Sequence, residues 1–159
     1  MKIVQLSAEF APVAKAGGLA EVAVGLSREL IRLGHEVEVV MPKYDFIDLG
    51  SLSKVNREVA DFKCVEKGKV HSNTMWSAEC EGVPLRLLDA RHTAGYFHRG
   101  KIYGCEDDIS RFLYFSRAAL EYLRVRGEID VLHLHDWHVA IAAVIARDVL
   151  RLPIKSIVL

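Results

Sequence analysis

The first forty or so residues constrain the fold most. "IVQLSA", Ile3–Ala8, is a short apolar run of strand length. Leu19–Leu33 follows with Leu19, Val22, Ala23, Leu26, Leu30 and Leu33 at three- and four-residue steps, which predicts a helix with those residues on its buried stripe. Gly34 supplies a C-terminal stop, and "VEVVMP", Val37–Pro42, reads as a second strand. Strand, helix, strand at this spacing is a βαβ unit, whose strands are parallel and whose crossover is right-handed. A chain that opens this way is set for an open α/β sheet.

The middle has another texture. "VADFKCVE", "KVHSNTMWSAEC" and "PLRLLDA" are short alternating segments within residues 57–90, punctuated by Gly68, Gly82 and Pro84. They predict antiparallel or mixed strands, arranged as hairpins. Asp107–Arg124 predicts a helix burying Ile109, Phe112, Leu113, Phe115, Leu120 and Leu123. "DVLHLH" predicts a strand, a helix is expected from about His138 to Leu150, and "KSIVL" predicts a closing strand. The sum is a Rossmann-like, open, mostly parallel sheet with helices on both faces and a β-rich insertion. Ligands in such sheets sit beyond the carboxyl ends of the strands. A chain that stops in a strand, before the loop that would follow, is therefore expected to be part of a longer protein. An edge strand closing a small sheet would end the same way.

Composition excludes several classes. The 159 residues carry 21 basic and 21 acidic side chains, so a nucleic-acid or membrane-surface partner, which favours a basic excess, is not expected. No apolar run has membrane-span length, and Glu9 interrupts the N-terminal one. Cys64, Cys80 and Cys105 are odd in number, far apart and without a CxxC pair, which fits reduced thiols rather than a disulfide framework or thiolate zinc.

Three stretches carry chemistry. "KAGGLAEV", Lys15–Val22, puts a lysine and two glycines where a strand meets a helix. Gly17 and Gly18 let the backbone take positive φ and remove bulk, and the helix start offers unpaired N–H groups and a positive dipole end. Lys15 adds a full charge, so the loop can hold an anion such as phosphate; a plain glycine turn with a solvated lysine would read the same. Neither GxxxxGK[ST] nor GxGxxG is present, which counts against a P-loop enzyme and a dinucleotide-dependent Rossmann enzyme.

"HLHDWH", His133–His138, offers three histidines that could ligate zinc, or an Asp136 presented to the crevice that "KAGGL" faces. Trp137 could wall a sugar ring or pack in the core, and Asp136 could simply cap a helix. In "YGCEDDISRF", Arg111 is either solvated or a pocket support, and "YFHRG", Tyr96–Gly100, places aromatics and bases where a sugar could stack.

Taken in order, "AEFAPVAKAGGLAEVAVGLSREL", "IYGCEDDISRFLYFSRAALEYL" and "DVLHLHDWHVAIAAV" resemble the glycogen and starch synthases, retaining glucosyltransferases of the two-domain GT-B fold. "PKYDFIDLG" and "NTMWSAECEGVPLRLLD" are similar to the plant starch-synthase branch and its bacterial relatives. The likeness covers essentially the whole chain. It implies the N-terminal, acceptor-side half of a GT-B fold, without the nucleotide-binding C-terminal domain that would be its partner. It implies transfer of glucose from ADP-glucose, or UDP-glucose in some members, to the 4-hydroxyl at the non-reducing end of an α-1,4-glucan, with neither metal nor cofactor. Lys15, Gly17 and Gly18 are the implied donor-phosphate residues. Asp136 is the implied catalytic residue and His135 a substrate-binding neighbour. Tyr96 and Phe97 are implied along the acceptor path. Where many members have "GGLADV", this chain has Glu21. The implied location is the cytoplasm, or the plastid for a plant protein. These residues alone are expected to be inactive, because the family's active site lies between two domains. A stand-alone glucan- or sugar-nucleotide-binding domain is the alternative.

Overall fold

A computed structural model describes all 159 residues. The strands are β1 (Lys2–Leu6), β2 (Glu36–Pro42), β3 (Ser53–Glu66), β4 (Lys69–Cys80), β5 (Val83–Arg91), β6 (Ile129–Leu134) and β7 (Ile154–Val158). The helices are α1 (Gly18–Arg32), α2 (Asp108–Leu123) and α3 (Trp137–Val144), the last running into a π turn at Ile145–Val149. All seven strands form one sheet in the order β3-β4-β5-β2-β1-β6-β7. The five from β5 to β7 are parallel. The expected insertion is an antiparallel meander on this same sheet, not a separate layer.

The sequence explains the division. Central parallel strands are covered on both faces and need near-continuous apolar runs. Val37–Met41 meets that need and is buried throughout, save a polar Glu38 that is itself buried. The meander alternates polar and apolar residues, as a sheet edge with one wet face requires. Its tight turns fall at Lys67-Gly68 and Glu81-Gly82, with φ of 48° and 75°, and of 51° and 79°. Two successive positive φ values make primed turns whose twist matches the strands they join, with glycine at the second position. Arg86 of β5 lies 3.0 Å from Glu38 of β2 and 3.2 Å from Glu58 of β3. Arg126 pairs with both carboxylates, so four charges tie the meander to the parallel strands.

Right-handed crossovers fix where the helices go. The step from β1 to β2 runs one way along the sheet and that from β6 to β7 the other, so α1 and α3 cover opposite faces. α2 packs beside α3. The strand order therefore reverses between β1 and β6. Loops leaving those two neighbours diverge and open a crevice, the usual ligand position in open α/β sheets.

Three sequence expectations fail in the helices. α1 buries Ala20, Ala23, Val24 and Ser27, while Val22 and Leu33 are each 57% exposed. Apolar residues stand on more than one side of this helix, and the small ones win the sheet because they let the helix approach closely. In α2, Phe112, Phe115, Leu120 and Leu123 are buried as expected, but Ile109 is 78% and Leu113 43% exposed. Arg111, for which solvation was one expectation, is fully buried instead. Its guanidinium lies 3.2 Å from Asp108 Oδ1 and 2.9 Å from Cys105 Sγ, and 5.1 Å from the Phe97 ring centre. The third is α3, whose regular α-helix ends at Val144, short of Leu150.

Candidate functional site

Lys15–Gly18 follows β1 and His135–Trp137 follows β6, so the two motifs flank the point where the strand order reverses. Gly17 has φ −149°, extended backbone open to any residue, and Gly18 begins α1. A Cβ at either glycine would meet nothing within 4 Å. The expectation that these glycines serve a positive φ is therefore corrected: neither backbone conformation nor packing within the chain requires them. What remains is room for something outside the chain to approach the peptide groups.

The loop's charges are arranged in an unforeseen way. Lys15 Nζ lies 2.5 Å from Glu21 Oε1, both groups being exposed, so the longer carboxylate reaches the lysine across the helix start. The N–H groups of Ala16 and Gly17 donate to Glu9 Oε2 at 2.6 and 2.8 Å. α1 has no side-chain cap, and the N–H groups of Gly18 and Leu19 have no acceptor in the protein. Lys15 also borders an open hollow of about 350 Å³ with Phe46, Lys101 and Tyr103.

Across the crevice, Asp136 is exposed and caps α3 with Oδ1 accepting from the Trp137 N–H at 2.6 Å. Its φ of 67° with ψ of 178° is a conformation natural only to glycine. Trp137 is 51% exposed, which removes the core expectation for it. With Ile109, Phe112, Leu113, His138 and Ile141 it lines an apolar hollow of about 270 Å³.

The remaining expected site residues lie deeper. His135 is buried, its Nε2 2.7 Å from Gln5 Oε1 and its ring stacked on His133 with centroids 4.3 Å apart. Burial, and then the His133 charge, lower its pKa to about 4. Phe97 is fully buried among Tyr44, Phe112 and Phe115. Tyr96 is 4% exposed, stacked on His92 and donating to Glu66. Lys15, Gly17, Gly18 and Asp136 are thus exposed in the two loops at the strand-order reversal, whereas His135, Tyr96 and Phe97 are buried.

The His133–His138 zinc expectation does not match the geometry. His135 turns to Gln5, and His138 stacks on Tyr103 at 4.6 Å. Three potential ligand atoms do converge elsewhere, at Glu66, His71 and His92, within 4.8 Å of one another. There His92 Nδ1 accepts the Ala94 N–H at 3.0 Å, which places the proton of the neutral ring on Nε2, 2.8 Å from Glu66 Oε2. That nitrogen donates a hydrogen bond in this arrangement and has no lone pair for a metal.

His135 makes stability depend on pH. Its folded pKa lies below the unfolded value near 6.5, so the unfolded chain binds the proton more readily. The contribution is complete above the unfolded pKa and is lost as pH falls from about 6.5 towards 4. The full loss is on the order of 3 kcal/mol. Thermal melts should fall over that window in the unaltered chain, with a visibly shallower slope in His135→Gln.

Comparison with known proteins decides the family. Residues 2–157 match the family described as "Starch synthase catalytic domain". The chain belongs to that family. It is 40% identical over 149 residues to the glycogen synthase of Protochlamydia amoebophila, covering 93% of this chain and 30% of that protein. It is 42% identical over 153 residues to a probable starch synthase 4 of Arabidopsis thaliana, covering 92% of this chain and 14% of that one. The catalytic domain of starch synthase IV from the same plant, solved bound to ADP and acarbose, superposes with a TM-score of 0.92 at 37% identity. That match covers 98% of this family member and 32% of the solved chain, so the member spans about a third or less of these relatives. They include a bacterial protein and a chloroplastic or amyloplastic one, and no helix here is long and apolar enough to cross a membrane.

Sequence reasoning missed Glu9 and Tyr103. Tyr103 Oη donates to Glu9 Oε1 at 2.7 Å across 94 residues of chain, and no local pattern announces such a pair.

Proposed function

We propose that this chain is the N-terminal, acceptor-side domain of a retaining glucosyltransferase that moves glucose from ADP-glucose to the non-reducing end of an α-1,4-glucan. The observation that carries the reading is the pair Gly17–Gly18 at the β1/β6 reversal, glycines the chain itself does not need. Family membership supports the chemistry, and the ADP and acarbose held by the solved relative support a nucleotide donor and a glucan-like acceptor.

In this reading the donor diphosphate lies against the Gly18 and Leu19 N–H groups and Lys15. Negative charge grows on the diphosphate as the glycosidic bond breaks, and fixed dipoles and a cation aimed at it lower the barrier. Lys15 leaves Glu21 for the phosphate, at small cost because exposed ion pairs are worth little. Asp136 faces the transferring sugar, and Trp137 offers a ring for stacking. In this reading a second domain carrying the nucleotide pocket completes the site, so residues 1–159 alone are expected to transfer nothing, and activity belongs to a gene product that carries both domains.

Lys15→Ala in the gene product should lower kcat about a hundredfold and raise the KM for ADP-glucose several-fold, with little change in the KM for acceptor. Steady-state kinetics with maltotetraose check this, and NMR of the product's new linkage checks retention. A β-linkage, or a variant as fast as the unaltered protein, would sink the assignment.

A further inference from the structure

We infer that Glu9 is a positioning residue that holds the glycine loop in place and, through Tyr103, couples that loop to the turn bearing Asp136. The inference rests on the glucosyltransferase reading for what the loop is positioned to do.

Glu9 is 3% exposed. Its carboxylate accepts three hydrogen bonds: Ala16 N–H at 2.6 Å, Gly17 N–H at 2.8 Å and Tyr103 Oη at 2.7 Å. Its own main chain is fixed by Ser7 Oγ, which accepts the Glu9 N–H at 3.2 Å and donates to the Glu9 carbonyl at 2.7 Å. No lysine or arginine pairs with this carboxylate. A buried carboxylate is tolerated only where its hydrogen bonds compensate for lost water, so the three donors and Glu9 hold one another in place.

The positions of those donors give the contact its meaning. Two belong to the backbone of the loop itself. The third, Tyr103, lies with its ring on that of His138, centroids 4.6 Å apart and planes inclined at 21°. His138 stands in the first turn of α3, two residues beyond Asp136. A path of direct contacts therefore runs from the loop after β1 to the turn after β6 through one carboxylate and two rings. Burial and then the Glu9 hydrogen bond raise the Tyr103 pKa, so the phenol stays a donor. The same contacts occupy the Ala16 and Gly17 N–H groups, which directs an incoming diphosphate to those of Gly18 and Leu19.

The test is a variant series in the gene product. Glu9→Ala should lower kcat about thirtyfold while the KM for maltotetraose stays within about threefold. Glu9→Gln should restore most of the rate, because the carboxamide oxygen still accepts both loop N–H groups. Tyr103→Phe keeps the stack and loses the donor, so a loss of about fivefold is expected; Glu9→Ala with Tyr103→Phe should be no slower than Glu9→Ala alone, as for residues acting as a unit. Amide hydrogen exchange reads the loop without reference to activity. Ala16 and Gly17 should exchange at least about tenfold faster in Glu9→Ala, with Val4 and Val39 unchanged. If Glu9→Ala does not fold, Tyr103→Phe carries the exchange measurement, with smaller acceleration at the same two amides. Unchanged exchange, or a Glu9→Gln as slow as Glu9→Ala, overturns the inference. An unaltered gene product that transfers no glucose would overturn the transferase reading, while the exchange rates would still decide whether Glu9 holds the loop.

Discussion

Asp136→Gly should leave the protein at least as stable as before and abolish most of the proposed glucosyl transfer. Asp136 holds φ 67° and ψ 178°, a conformation that costs a non-glycine residue about 1–3 kcal/mol. Its cap to the Trp137 N–H returns little, since replacing a capping side chain by glycine costs only a few tenths of a kcal/mol. The net change is a gain of about 1–2 kcal/mol, read as a melting temperature roughly 2–6 °C higher. Activity should fall by about a hundredfold or more, because in the proposed transferase the Asp136 carboxylate is the group set against the transferring sugar. Strain held by a residue that the fold would be better without is the mark of a position kept for function. A variant that melts lower and transfers glucose normally would mean that Asp136 is only a helix cap.

The second large effect is on stability. Arg111 is fully buried, paired with Asp108, and its guanidinium lies against the rings of both Phe97 and Phe112, at 5.1 and 5.3 Å from their centres. Arg111→Ala removes the cation, opens a cavity and strands the Asp108 carboxylate, whose remaining donors are the Gly104 and Cys105 N–H groups. Breaking such a pair costs about 3–5 kcal/mol. Arg111→Lys should recover less than half of that, because an ammonium cannot reproduce the planar fork that serves Asp108, Cys105 and the Lys101 carbonyl together. Urea unfolding of the variants gives the numbers. A loss below about 1 kcal/mol for the alanine variant would contradict the account of this residue.

The parts of the fold that depend on neighbours in sequence were legible before any coordinates. The βαβ opening, the second and third meander strands and the strands at Asp130 and Lys155 lie within a residue or a few of their observed places, while the first meander strand begins at Ser53, six residues before the expected Val59. The parallel core strands show themselves as short segments rich in Val, Ile and Leu, and the meander turns as Lys-Gly and Glu-Gly. The buried face of α1 was not legible, because Leu19, Val22 and Leu33 compete with Ala20, Ala23 and Val24 for one sheet. Arg111 stayed open between solvent and pocket for another reason. A charge reads as solvent-facing until the groups that hold it are known, and here they are a carboxylate, a thiol sulfur and two aromatic rings. At the site, the two motif loops could be read from their residues, and their meeting at one reversal of strand order followed from the topology. The strained φ of Asp136 and the reach of Glu9 to Tyr103 could not, since each belongs to tertiary structure alone.

The most direct test is incorporation of radiolabelled glucose from ADP-glucose into glycogen by the gene product, with Lys15→Ala and Asp136→Gly measured beside it at matched folding. The account expects steady incorporation by the unaltered protein and a loss of about a hundredfold in each variant. Incorporation that survives both substitutions would place the chemistry outside the β1/β6 crevice, and no incorporation by the unaltered protein would contradict the transferase assignment itself.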